Sequence, residues 1–252
     1  MTYILTNNRV IESAKLIQQT LYESAGILLA LKTELILDDP FAIRWGNSNY
    51  RGYGGPENVF NSADSIRLAG NKLRLSEYLQ DKEFPHVEIF EGVPDHFPVV
   101  VRKELNRGGG IGIHICKTFD EFEAYWENYP WSYWRNFQSE FGVHMLGGKV
   151  VKAFRKVWDK EDELESEFPI KNTSKGYRYS LVDFSKKSKL LKYCSSFYET
   201  LPINMCRLDI GWNAEKKIYE LIEVNSAPDL TKNANTLDLY VKYIAENLKK
   251  GD

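Results

Sequence analysis

Residues 206–231, CRLDIGWNAEKKIYELIEVNSAPDLT, carry the side chains best suited to chemistry. Asp209 lies in one strand-like run, MCRLDIGW, and Glu223 and Asn225 in a second, IYELIEVN, with a polar turn at 213–217 between them. Residues two apart on a strand emerge on one face, so Glu223 and Asn225 share a side. If the runs pair through the turn, Asp209 lies opposite them. Two carboxylates and an amide oxygen then converge. Hard oxygen ligands of this kind suit Mg²⁺, which is held by a few carboxylates together with substrate phosphates. The same spacing also describes a plain hairpin with solvated acids, so the rest of the chain has to separate the two.

A second group is PVVVRKELNRGGGIG, residues 98–112. A strand delivers a cation, Arg102 or Lys103, just before Gly108, Gly109, Gly110 and Gly112. Glycines let backbone N–H groups crowd a polyphosphate with no Cβ in the way. No Gly-Lys-Ser/Thr follows, which excludes a Walker A loop. A short return strand follows instead of a helix, which excludes a dinucleotide fingerprint. A simple hairpin tip is the other reading. Lys72 sits in the first turn of a helix that Asn71 can cap. A cation there opposes the macrodipole unless it reaches away to an anion.

The elements that must position these groups are legible from periodicity. Val10, Ala14, Ile17, Leu21 and Ala25 have helical spacing within 9–31, and residues 61–80 read as helix with a break near Gly70. FAIRWG (41–46), VEIFEG (87–92), 98–105 and IHIC (113–116) read as strands, and a Gly/Asn-rich loop, NSNYRGYGGPEN, follows the first. Thr118 and Glu121 form a capping box that opens a helix to about residue 128. Residues 133–139 and 143–146 read as extended, and 149–158 pairs back through Gly147-Gly148 as a hairpin. Residues 159–168 read as a surface loop, and helices are expected over 183–201 and 235–249. Strands joined in hairpins with helices between them predict an α+β chain built in lobes.

At 252 residues and 43% hydrophobic content the chain can bury one sizeable core or two to three small lobes. A net charge of −2 supplies no basic field for nucleic acid, and no basic stripe interleaved with aromatics appears. No apolar run is long enough to cross a membrane, and MTYILTNNRVIES lacks the pattern of a signal peptide. Cys116, Cys194 and Cys206 are far apart and odd in number, which reads as a cytoplasmic chain with small apolar thiols.

In order, NKLRLSEYL with Lys72, PVVVRKELNRGGGIGI, QSEFGVHMLGGKVVKAFRKV and RLDIGW…YELIEVNSAPDLT resemble the ATP-grasp superfamily. The likeness is to carboxylate–amine ligases such as D-alanine–D-alanine ligase and glutamate-adding ligases, and runs from about residue 71 to the end. The resemblance implies an α+β ATP-grasp fold: two α+β lobes gripping ATP, with a short N-terminal α/β segment. The lobes are expected at 1–70 (reduced, with candidate substrate contacts at Arg44, Asn47 and Ser48), 71–132 (central, with the glycine loop) and 133–252 (C-terminal, with the metal site).

Residue by residue, the resemblance gives Asp209, Glu223 and Asn225 to Mg²⁺ and Lys72 to phosphate. Arg102 falls where most members carry a second phosphate lysine, with Lys103 as the competing cation. Glu140 matches the acid that holds the ribose, and the stretch Tyr133, Trp134, Arg135, Asn136, Phe137 the hinge that meets adenine through its backbone. The acidic residue many relatives place there is missing. Arg207 matches the arginine that steadies the reacting groups, and Arg155 a basic position near the substrate; His144 reads as a strand residue.

The implied activity is ATP-dependent amide formation through an acyl phosphate, releasing ADP and phosphate, on small-molecule or peptide carboxylates and amines. The rivals are transfer to a non-amine acceptor, direct phosphorylation, and nucleotide binding without turnover. A small first lobe suits either an open site for a large substrate or a homodimer whose partner completes the site.

Overall fold

The computed structural model describes residues 2–6, 8, 10–32, 42–47, 60–103, 112–125, 127–160 and 166–248. The chain begins with β1 (Thr2–Leu5), α1 (Ile11–Ala25), β2 (Leu29–Lys32) and β3 (Ala42–Arg44). These three strands form a parallel sheet in the order β2-β1-β3. The helix expected over 9–31 therefore ends at Gly26, whose left-handed φ of 66° turns the chain into a strand. Periodicity alone carries the helix into Leu29–Lys32, because four apolar-rich residues have no period of their own.

Two short helices follow, α2 (Ala63–Ala69) and α3 (Lys72–Asp81), with the break at Gly70 and the Asn71 cap that the sequence predicts. Asn71 Oδ1 accepts from the Arg74 N–H at 3.1 Å. α3, grouped by its position in the sequence with the central lobe, packs Leu75 and Leu79 into the core of the largest sheet.

Residues 87–92 contribute only isolated bridges, Phe90 with Trp131 and the neighbouring His86 with Leu221, and no strand. β4 (Val99–Arg102), β5 (Ile113–Cys116), α4 (Phe119–Glu123) and β6 (Trp131–Tyr133) complete a small layer with strand order β5-β4-β6. α4 is shorter than expected, though Thr118 caps it by accepting from the Glu121 N–H at 3.3 Å. The glycines Gly108, Gly109 and Gly110 lie outside the described residues, as do Ser48 and the rest of the NSNYRGYGGPEN loop after Asn47.

The largest sheet, in the order β11-β10-β7-β8-β9, holds β7 (Ser139–Leu146), β8 (Lys149–Trp158), β9 (Tyr177–Leu181), β10 (Met205–Asn213) and β11 (Ile218–Asn225). β9 is a strand that periodicity missed. α5 (Ser188–Thr200) backs this sheet with Leu190, Cys194 and Phe197 against Val143, Ala153 and Leu208. α6 (Ala234–Leu248) buries Leu237, Tyr240, Val241 and Ile244 against Ala14, Ile17 and Leu21 of α1. The three thiols are buried and unlinked. Among the described residues no helix is long and apolar enough to cross a membrane.

Two one-residue bulges set which side chains share a face. From the turn, β10 and β11 pair in the register Asn213↔Ile218 to Ile210↔Leu221, then shift to Asp209↔Glu223 and Arg207↔Asn225. Ile222 is the extra residue. Without it Asp209 would stand opposite Ile222, and Glu223 and Asn225 would face away. In β7 and β8 the register runs Met145↔Val150, then His144↔Lys152 and Glu140↔Lys156, so Val151 is extra.

The hinge between the two antiparallel sheets is set by a glycine. A Cβ on Gly211 would come within 2.4 Å of the buried Phe137 ring. Gly211→Ala is expected to cost about 1–3 kcal/mol, the usual range for overpacking a filled site. Urea unfolding measures it; an unchanged midpoint shows that Phe137 yields without cost.

Candidate active site

A cleft of about 620 Å³ lies between the five-stranded sheet and the β5-β4-β6 layer. Its floor is one face of the large sheet, and antiparallel pairing arranges that face in rows. Glu140 of β7 stands opposite Lys156 of β8, which stands opposite Tyr179 of β9. Next, Glu223, Asp209 and Gly142 align across β11, β10 and β7. Beyond them, Asn225, Arg207, His144 and Lys152 align across β11, β10, β7 and β8.

Electrostatics tie the rows together. Lys156 Nζ is 3.1 Å from Glu140 Oε2 and 3.8 Å from Asp209 Oδ2. Burial works against the Lys156 charge, but Asp209 and Glu140 outweigh it and raise its pKa. Burial raises the Glu140 carboxyl, partly offset by Lys156. For Asp209 burial also favours the neutral acid, yet Arg207 and Lys156 hold its carboxyl below the usual carboxylate range. Arg207 donates from Nη2 to Asp209 Oδ2 at 3.2 Å. Its Nε is 3.2 Å from Asp209 Oδ1 but not aligned for a hydrogen bond, so that buried carboxylate oxygen has no donor among the described residues.

An orphaned anionic oxygen beside a second carboxylate fits a cation. Glu223 is half-buried and lies 3.5 Å from Lys72 Nζ. Asn225 Oδ1 accepts from the Ala227 N–H at 3.0 Å and keeps a second lone pair. Among the described residues no three His, Cys, Asp or Glu side chains form a metal-binding cluster. Two carboxylates and an amide match a hard ion that keeps most of its shell for water and phosphate oxygens.

Across the cleft, buried Arg102 at the end of β4 donates from Nη1 to Ser132 Oγ at 2.7 Å and to Val100 O at 3.2 Å. Burial lowers its pKa to about 10, against the pull of Glu223, which leaves it charged at neutral pH. At one end the cleft narrows between the hinge residues Tyr133, Trp134, Arg135 and Phe137 and the segment 169–173. Lys171 Nζ bonds Phe137 O at 2.6 Å, and the Trp134 ring meets Phe168 edge-on.

No family model and no curated protein matches the chain. Solved structures do. The ATP-grasp ligase PsnB matches with a TM-score of 0.70 at 10% identity, covering 98% of each chain. D-alanine–D-alanine ligase from Bacillus anthracis matches with a TM-score of 0.68 at 16% identity, covering 98% of this chain and 95% of that one. A RimK-domain ATP-grasp protein from Sphaerobacter thermophilus matches with a TM-score of 0.65 at 15% identity, covering 98% and 99%. The chain has the ATP-grasp fold.

In this ATP-grasp cleft Arg102, Trp134, Arg135, Glu140, Arg207, Asp209, Glu223 and Asn225 all line one space. Several expected residues do not. Lys103 turns its ammonium over the Tyr125 ring, 5.0 Å from its centre, on the opposite side of β4 from Arg102. Asn136 is exposed at the hinge and outside the lining. Arg155 is exposed on the other face of β8, because the Val151 bulge hands its place opposite Glu140 to Lys156. Lys72 stays off the cleft wall and reaches Glu223.

Sequence reasoning also missed Tyr179, Lys171, Asp229, Lys232, Asn233 and Thr236. A signal existed for the last four: they crowd the eleven residues after Asn225, around the start of an apolar-periodic helix. Arg44 and Asn47 are buried beside β1, where Asn47 donates to Thr6 O at 2.6 Å, and neither lines the cleft.

Proposed function

We propose that this protein is an ATP-dependent ligase joining a carboxylate to an amine through an acyl phosphate. The observation that supports the reading is the order of the rows. Glu140 and Lys156 suit a ribose, Asp209 and Glu223 suit metal-bound phosphates, and Arg207 suits the reacting acyl group, all on one sheet face below Arg102. The structural relatives agree in kind. PsnB is complexed with Mg and ADP, and also with a precursor peptide and AMPPNP; the Bacillus anthracis ligase is complexed with ATP.

A carboxylate is a poor electrophile. Its oxygen attacks the γ-phosphorus, ADP leaves, and the acyl phosphate presents an activated carbonyl. The amine attacks that carbon, phosphate leaves with the C–O bond, and the nitrogen sheds a proton. Catalysis of this kind is positioning plus charge neutralisation. Arg102 neutralises the polyphosphate from above and Lys156 from below. Arg207, held charged by Asp209, orients the acyl phosphate and stabilises the oxyanion. Mg²⁺ on Asp209, Glu223 and Asn225 would supply further neutralisation of phosphate charge. Among the described residues lining the cleft no Ser or Cys stands beside a base, and the route needs none.

Arg102→Ala is expected to weaken ATP binding about 10- to 100-fold, the loss of one or two charge-assisted contacts. Lys103→Ala is expected to stay within about twofold, because its ammonium lies on the other side of the strand. Isothermal titration with ATP and Mg²⁺ reads both, and the reverse ranking overturns the assignment. The ligase reading itself is tested with a panel of the standard amino acids and glycyl dipeptides. ADP release is followed and products are weighed. An amide mass with ADP supports it; an ester or phosphorylated product, or binding without ADP, rejects it.

A further inference from the structure

The row beyond the proposed metal site contains a ring that the mechanism has not used. His144 is 5% exposed and lines the cleft between Arg207 on β10 and Lys152 on β8. Its Nδ1 lies 3.1 Å from the Tyr240 hydroxyl. That hydroxyl gives its proton to Cys206 O, also at 3.1 Å. A phenol has one proton to donate, so toward His144 the oxygen can only accept. This pairing assigns the ring proton to Nδ1 and leaves the bare lone pair to Nε2. Burial and the two flanking cations push the imidazole pKa down to about 3, so the ring stays neutral. Nε2 has no protein partner among the described residues.

The charged groups at this end of the cleft include the cations Arg207 and Lys152 and the carboxylates Asp209 and Asp229. Lys152 Nζ is held by Asn233 Oδ1 at 3.1 Å. Thr236, in the first turn of α6 and one turn before Tyr240 on the same helix face, has a buried Oγ1 with no partner among the described residues. His144 is two residues beyond Gly142 and four beyond Glu140 along β7. It therefore sits at the end of the cleft away from the hinge, past the proposed phosphate row.

We infer that His144 Nε2 accepts a hydrogen bond from the N–H of the attacking amine, with Thr236 Oγ1 as its neighbour and Lys152 holding an anionic group of the same acceptor. The acceptor class is a primary amine bearing a nearby carboxylate, as in an amino acid or a short peptide. The nucleophilic species is the neutral amine, whose N–H donates to Nε2 while its lone pair faces the acyl carbon. The inference rests on the ligase reading, and its test separates the two.

The direct test is the tautomer. In protein labelled with ¹⁵N-histidine, the long-range ¹H–¹⁵N spectrum should show His144 with its proton on Nδ1 and a bare Nε2. A proton on Nε2, or on both nitrogens at neutral pH, overturns the inference whether or not an acceptor is known. The functional test uses whichever amine of the amino-acid and glycyl-dipeptide panel gives an amide. His144→Phe should raise the KM of that amine about tenfold or more, as loss of one buried hydrogen bond implies. The KM for ATP should stay unchanged, as should hydroxamate formation with concentrated hydroxylamine, a small nucleophile that needs no pocket.

His144→Gln, whose side-chain oxygen reaches about as far as Nε2, should recover part of the affinity. Tyr240→Phe removes the acceptor that fixes the tautomer and leaves the cleft wall in place; it should raise the amine KM without moving that for ATP. An amine KM unchanged in both His144→Phe and Tyr240→Phe overturns the inference. A panel with no ADP release at all counts against the ligase reading instead, and the tautomer measurement still decides His144.

Discussion

Asp209→Asn is expected to lower Mg²⁺-dependent ATP turnover by about 10²–10³, the usual cost of removing one charged group from a preorganised site. Its Oδ1 is the buried carboxylate oxygen that no donor satisfies, so it is the atom with most to offer a cation. The substitution also removes the counter-charge of Arg207 and Lys156. Breaking a buried pair leaves uncompensated charge and costs about 3–5 kcal/mol. The pH dependence has a definite sign. The folded carboxyl titrates below its unfolded value, so its contribution to stability is complete above about pH 4 and is lost as the pH falls further. The Asn variant should lack that part of the acid limb. Coupled-enzyme ADP detection and urea unfolding at neutral and acid pH measure the two effects. Full turnover in the variant removes the metal site.

Lys156→Ala and Arg155→Ala, neighbours in sequence, are expected to differ sharply. Lys156 is 11% exposed and compensates both Glu140 and Asp209. Its loss removes the 3.1 Å ion pair of buried Glu140 and leaves Asp209 with Arg207 alone, and is expected to cost about 3–5 kcal/mol, with nucleotide affinity falling alongside. Arg155 is exposed on the opposite face, so its truncation should stay within about 0.5 kcal/mol and leave turnover intact. Unfolding midpoints and ATP titrations compare the pair. Equal effects would mean that the Val151 bulge is misplaced.

Local patterns were readable wherever the deciding contacts are local. The 206–231 hairpin, the Gly147-Gly148 turn, the Asn71 and Thr118 caps and the apolar stripes of α5 and α6 all follow from neighbours within a few residues. β1 and β2 were not readable, because parallel partners far apart in sequence define them. β9, YRYSL, was missed because an edge strand that pairs with only one neighbour leaves its other side in water and shows little alternation. The surroundings of His144 were missed because Tyr240 reaches it, and Thr236 the cleft, only when α6 docks against β7 and β10.

The sequence by itself determined the inventory: acids and an amide on one hairpin, a cation at the end of an apolar strand, an acid ahead of a glycine turn. It determined their order along the chain, and from that order the family resemblance. Only the tertiary structure decided which of two adjacent residues faces the cleft. A strand alternates with period two, so one extra residue reverses every side chain beyond it. The bulge at Ile222 brings Glu223 and Asn225 round to Asp209, and the bulge at Val151 replaces Arg155 by Lys156. Where an extra residue is accommodated depends on packing across the whole sheet, which no local pattern encodes.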